Sequence, residues 1–116
     1  MEVYTYQIAK WRLVKKMDGV KAIDTTIKTG FKQLAPTWTM VLGIKDKSLS
    51  PEKYTELYHD MLERSRALHP AFWEALFRQE KIALGCYCKP DTFCHRYLLV
   101  AYLEAHANAK YKGEIL

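Results

Sequence analysis

Apolar and polar residues alternate from Val3 to Ile8 in a stretch rich in Tyr, Thr and β-branched side chains, a pattern that predicts a first β-strand. The period then changes. Trp11, Leu13, Val14 and Met17 recur among lysines at mixed helical spacing, which predicts a short basic helix over Ala9 to Met17. Asp18-Gly19 is turn chemistry, and the β-branched run Val20 to Ile27 predicts a second strand, broken by Thr29-Gly30. From Pro36 to Lys45 two signals compete. Trp38, Val41, Leu42 and Lys45 share a helix face, with Pro36 suited to a first turn; the β-branched content and Gly43 favour a strand, and helix is the preferred reading.

Ser50-Pro51-Glu52 combines a capping hydroxyl, a proline suited to the first helical position and an acid near the positive end of the helix dipole. Tyr54, Leu57, Tyr58, Met61, Leu62 and Ser65 follow at spacings of three and four, predicting an amphipathic helix to about Leu68. His69-Pro70 ends it, and Phe72, Trp73, Leu76 and Phe77 form a further helical stripe. These aromatic residues are expected in the core. Ile82 to Cys88 is a mostly apolar run, as in a central parallel strand covered on both faces. Lys89 to Phe93 reads as a loop, Cys94 to Ala107 as a strong helix, and Lys110 to Leu116 as an edge strand.

Strands separated by helices predict one α/β domain over residues 1–116: three layers, with a small, mostly parallel sheet of three or four strands and helices on both faces. Ligands of such sheets bind beyond the carboxyl ends of the strands, which brings the Cys88-to-Arg96 crossing and the stretch Asp24-Thr25-Thr26 to one rim. No run approaches the ~20 apolar residues of a membrane span, and the first residues lack a basic-then-apolar leader, so a cytoplasmic protein without a membrane partner is expected. Three cysteines, an odd number confined to positions 86–94, make a poor disulfide framework and agree with that compartment.

The net charge is +5 and uneven: residues 1–32 carry seven basic side chains against three acidic ones. A basic end is suited to an acidic partner such as a nucleotide or nucleic acid, with Lys10 among its contacts; the bland alternative is a solvated lysine-rich face. The chemistry concentrates in Cys86-Tyr87-Cys88-Lys89-Pro90-Asp91-Thr92-Phe93-Cys94-His95-Arg96. Cys86 and Cys88 share a strand face, and Cys94, His95 and Arg96 begin a helix, where unpaired amides and the dipole attract anions and lower a thiol pKa. In the favoured reading the segment binds a phosphate-bearing ligand, with Arg96 as anion clamp, Asp24, Thr25 and Cys88 beside it, and Cys94 and His95 as reactive thiol and acid/base. The gap from Cys88 to Arg96 differs from the cysteine phosphatase loop, and no phosphatase chemistry is assigned. Cys86, Cys88, Cys94 and His95 also have the residue types of a zinc site, although C-x-C-x₅-C-H is not a common zinc spacing; that alternative makes the chain a non-catalytic interaction protein with a structural cluster. A redox pair and plain burial of small cysteines complete the alternatives.

The run Leu84-Gly85-Cys86-Tyr87-Cys88, then Phe93-Cys94-His95-Arg96 and an apolar helix, resembles the small phage and bacterial proteins of the domain-of-unknown-function 488 family. Ile23-Asp24-Thr25-Thr26, Ala35-Pro36-Thr37-Trp38, Tyr54-x₃-Tyr58 and Gly113-Glu114 extend the resemblance over nearly the whole chain. It implies a compact α/β domain with a site at the Cys-His-Arg helix start, to which Asp24, Cys86, Cys88, Cys94, His95 and Arg96 correspond. Many members carry an acidic residue where Cys88 stands, and an Arg where this chain has Thr25-Thr26.

Overall fold

The computed structural model describes residues 1–116. Four strands, β1 (Glu2–Gln7), β2 (Lys21–Asp24), β3 (Lys81–Cys86) and β4 (Lys110–Ile115), form one sheet in the order β2-β3-β1-β4. Every neighbouring pair is parallel. Five helices connect them: α1 (Trp11–Lys15, entered through a 3-10 turn at Ile8–Lys10), α2 (Trp38–Lys45), α3 (Pro51–Leu68), α4 (Pro70–Phe77) and α5 (His95–His106). This is the expected three-layer α/β domain, and no helix is long and apolar enough to cross a membrane.

The layers are unequal because successive strand residues face opposite sides. Val3, Ile23, Ile82 and Leu84 point to one face, where they pack with Leu34, Met40, Tyr58, Leu62, Trp73, Leu99 and Leu103 beneath α2 to α5. Tyr6 and Ala83 point to the other face, covered by α1 through Val14 alone. The basic helix is correspondingly short: of the apolar residues expected to hold it down only Val14 is buried, while Trp11 and Leu13 remain exposed. Gly85 lies where Tyr6 crosses β3; a Cβ there would stand 2.5 Å from the phenol ring.

Local chemistry sets the helix starts. Ser50 Oγ accepts from the Lys53 amide and Thr37 Oγ1 from the Met40 amide, each supplying a partner for an otherwise orphaned N–H. The second strand is shorter than its β-branched run predicts. After Asp24 the chain leaves the ladder because the Asp24 carboxylate accepts from the Thr26 amide and hydroxyl and from Thr29 Oγ1, folding Thr26–Gly30 into a turn. Gly30 closes that turn against backbone: a Cβ would meet the Asp24 carbonyl oxygen at 2.4 Å. Likewise β3 ends at Cys86 rather than Cys88, and Tyr87-Cys88 bends away.

Candidate functional site

β3 runs up the middle of the sheet and delivers Cys86 at its carboxyl end, on the face covered by α2 to α5. The loop Tyr87–Phe93 then returns the chain so that Cys94 is the N-cap of α5 and His95 its first residue. Three sulfurs and one imidazole meet there. Cys94 Sγ lies 3.2 Å from Cys86 Sγ, and Cys88 Sγ lies 3.7 Å from it. His95 Nδ1 is 3.9 Å from Cys86 Sγ and 3.8 Å from Cys94 Sγ. Cys86, Cys94 and His95 are buried, whereas Cys88 is partly exposed.

The second strand orients the imidazole. His95 Nε2 is 2.9 Å from the Thr25 carbonyl oxygen and 2.9 Å from Thr25 Oγ1, whose own proton goes to the Gly85 carbonyl at 2.8 Å. A carbonyl has no proton to give, so Nε2 carries a hydrogen and Nδ1 is the ring nitrogen left facing the sulfurs. Thr25, expected on the ligand, is fully buried and acts here as the brace of His95.

The surroundings of the three thiols favour ionisation at Cys86. Hydrogen bonds from Cys88, then Cys94, with His95 adding to them, draw the Cys86 thiol well below its ordinary range. The same contact with Cys86, together with burial, pushes the Cys94 thiol up. The thiol drawn down is therefore the one at the strand end, while the helix-start thiol of Cys94, expected to be the reactive one, is pushed the other way. Cys86 Sγ lies within 3.7 Å of both other sulfurs and within 3.9 Å of the imidazole.

Arg96 is placed differently from the anion clamp expected of it. It has no exposed surface. Its guanidinium donates to the Cys88 carbonyl oxygen (3.0 Å), to Tyr97 Oη (3.0 Å) and to Glu114 Oε2 (3.2 Å), and its Nη1 lies 3.6 Å from Cys94 Sγ. Glu114 also accepts from Tyr97 Oη at 2.9 Å and Thr5 Oγ1 at 2.6 Å. Arg96 thus fastens the Cys88–Cys94 loop to the edge strand β4, from behind the sulfurs. Its Nε is buried without a partner. Asp24 spends its carboxylate on the turn described above.

In front of the sulfurs opens a cavity of about 430 Å³. Cys86, Cys88, Cys94 and His95 line its floor. Its walls are Trp38, Val41 and Lys45 from α2, Tyr54 from α3, Thr26-Ile27-Lys28 from the turn after β2, and Tyr87 and Phe93 from the loop. Tyr54 meets Phe93 edge-on, ring centroids 5.3 Å apart, while Trp38, Tyr87 and Phe93 leave much of their surface exposed. Burial, with the nearby cysteines, pushes the Tyr54 phenol up, so it presents a neutral hydroxyl.

The rim expected from strand order is therefore real: Thr26 and the cysteine segment meet at it. Of the residues expected on a ligand, Cys88 lines the cavity, and Asp24, Thr25, Arg96 and Lys10 do not. Lys28 and Lys45, the two cations on its wall, were not singled out from sequence. Their signal was partly visible, since Trp38, Val41 and Lys45 recur at helix spacing, but only the fold shows that this stripe faces the cysteines and not the core.

Comparison with known proteins adds one finding. A family model described as DUF488-N3a, "Active DUF488-N3 subclade", matches residues 5–107. The chain belongs to the domain-of-unknown-function 488 family. No curated protein and no solved structure matches it.

Proposed function

We propose that this member of the domain-of-unknown-function 488 family binds a phosphate-bearing ligand with a flat ring, a nucleotide or a nucleotide unit of a nucleic acid, in the cavity at the ends of β2 and β3. The observation that carries the reading is the cavity's composition: half-exposed Trp38, Tyr87 and Phe93, cations Lys28 and Lys45, and a floor of three thiols and His95. Aromatic faces stack on any base with an energy of about 1–3 kcal/mol. Lysine ammonium groups meet phosphate as point charges, and a volume of this size holds a nucleotide-sized molecule. Where thiol chemistry accompanies binding, Cys86 is the nucleophile, because its thiol is the one its neighbours draw down, and His95, with Nδ1 3.9 Å away, is the adjacent group able to carry a proton to or from the ligand.

Titration of the metal-free protein with nucleoside mono- and diphosphates, alongside inorganic phosphate, tests the reading through tryptophan fluorescence, with Trp38→Phe as the control that assigns the change to Trp38 rather than Trp11 or Trp73. Saturable quenching is expected, weakened about tenfold or more in Lys28→Ala/Lys45→Ala and steeply reduced by salt. Binding that ignores both lysines, or no saturation by any nucleotide at millimolar concentration, refutes it.

A further inference from the structure

We infer that Cys86, Cys88, Cys94 and His95 Nδ1 together take one thiophilic divalent ion of the zinc class. The inference goes beyond the nucleotide reading and stands on separate observations. The first is distance. A tetrahedral ion with Zn–S bonds of about 2.3 Å sets sulfurs roughly 3.8 Å apart and sulfur from nitrogen roughly 3.5 Å apart. Here the sulfurs of Cys86 and Cys88 are 3.7 Å apart, those of Cys86 and Cys94 3.2 Å apart, and Nδ1 lies 3.9 and 3.8 Å from Cys86 and Cys94. All three sulfurs lie within 4.8 Å of one another. The three sulfurs and, on the Cys86–Cys94 side, the imidazole nitrogen thus border one space, and Cys88 is the donor that would have to turn toward the imidazole for all four to share an ion.

The second observation is the back of the imidazole. Metal-ligating histidines characteristically donate their other ring N–H to a carboxylate or backbone carbonyl, which fixes the ring and its tautomer. His95 Nε2 does this to the Thr25 carbonyl oxygen at 2.9 Å, which leaves Nδ1 as the nitrogen facing sulfur and free to serve as a ligand. The third is charge. Three thiolates and a divalent ion leave one negative charge, and the Arg96 guanidinium lies 3.6 Å from Cys94 Sγ with no exposed surface of its own. The fourth is access, since Cys88 is the partly exposed sulfur and opens onto the cavity through which an ion enters and leaves.

The spacing C-x-C-x₅-C-H is uncommon for zinc, and the fold supplies what the spacing lacks. At the first turn of α5, with Cys94 still in extended conformation, Cys94 and His95 both turn toward Cys86. The ion would tie the end of β3 to the start of α5 across the intervening loop. It would also mask the thiols, so that reactivity at Cys86 belongs to the metal-free form.

The test uses the untagged full chain. Metal-free protein is titrated with Co²⁺, followed by its thiolate-to-cobalt charge-transfer absorption, and zinc-loaded protein is treated with a thiol reagent before and after chelation. One equivalent of Co²⁺ with the strong visible bands of a tetrahedral thiolate site is expected, together with three thiols that react only after chelation. Cys88→Ser, at the half-buried position, is expected to keep the circular dichroism of the wild type and to bind Co²⁺ about tenfold or more weakly. No charge-transfer band at one equivalent, a band of unchanged affinity in Cys88→Ser, or thiols equally reactive with and without zinc overturns the inference. Nucleotide titration of the metal-free protein is a separate readout, so failure of the metal site and failure of the nucleotide reading are distinguishable.

Discussion

Glu114→Ala probes the link between the edge strand and the cysteine loop. Glu114 sits on β4 with 11% of its side chain exposed, against an Arg96 side chain with none. Its two oxygens accept from Arg96 Nη2, Tyr97 Oη and Thr5 Oγ1. Truncation leaves a buried guanidinium without its counter-charge and the Tyr97 hydroxyl without its acceptor, while Thr5 Oγ1 keeps Tyr111 Oη. Breaking a buried pair from one side costs about 3–5 kcal/mol. Arg96 keeps the Cys88 carbonyl and Tyr97 Oη, and water reaches an edge strand, so the lower end of that range, about 3 kcal/mol, is the expected loss. For a domain of this size that corresponds to a Tm lower by roughly 10–15 °C. Urea unfolding followed by circular dichroism measures it directly. Glu114→Gln retains acceptor geometry without the charge and is expected to lose roughly half as much. Glu104→Ala, at an exposed position on α5, serves as control and should stay within about 0.5 kcal/mol. A loss below about 1 kcal/mol for Glu114→Ala would refute the assignment of Arg96 as the internal brace and return it to the ligand side of the site.

Three further outcomes follow from the packing around the site. Thr25→Val removes the hydroxyl that donates to Gly85 and faces His95 Nε2; a loss of about 1–2 kcal/mol is expected in urea unfolding, with the His95 tautomer, read from its ring ¹⁵N shifts, preserved by the Thr25 carbonyl. Gly85→Ala places a methyl 2.5 Å from the Tyr6 ring and is expected to cost about 1–3 kcal/mol, largely recovered in Tyr6→Leu/Gly85→Ala; equal instability of the double variant would show that the ring is not what excludes the side chain. Burial holds the Tyr58 and Tyr54 phenols above their ordinary value of 10.0, so each is neutral in the fold over a wider range than in the unfolded chain. Their stabilising contribution is complete below that value and declines as pH rises beyond it, so Tm should fall progressively above about pH 10, and phenolate absorbance should reach its full amplitude only on unfolding.

Several elements were legible because their signals are local. The Ser50 cap with Pro51 predicted the start of α3, and the three-four spacing of Tyr54, Tyr58 and Leu62 predicted its buried face. The apolar run from Ile82 to Cys88 predicted a strand covered on both sides, as β3 is, although the ladder stops two residues earlier at Cys86. The shortfalls arose where a side chain answers to a partner distant in sequence or to its own backbone. Thr25 and Thr26 look like strand residues, yet the Asp24 carboxylate captures Thr26 and ends β2. Trp11 and Leu13 look like core residues, but the face of the sheet above them is small and only Val14 finds a place in it. Arg96 looks like an anion clamp at a helix start, and an acid 18 residues later in the chain claims it.

By itself the sequence determined the kind of domain, its helix starts, its central strand and the eleven-residue segment where the chemistry gathers, since periodicity, caps and composition act over a few residues. The tertiary structure decided which of those residues face one another. Parallel pairing of β2 with β3 brings Thr25 to His95, 70 positions apart. Packing of α2 over the strand ends turns Trp38 and Lys45 toward the sulfurs. The parallel addition of β4 beside β1 withdraws Arg96 from solvent. Each of these is a long-range contact whose energy is realised only when the chain has closed on itself, and no pattern within a single segment encodes it.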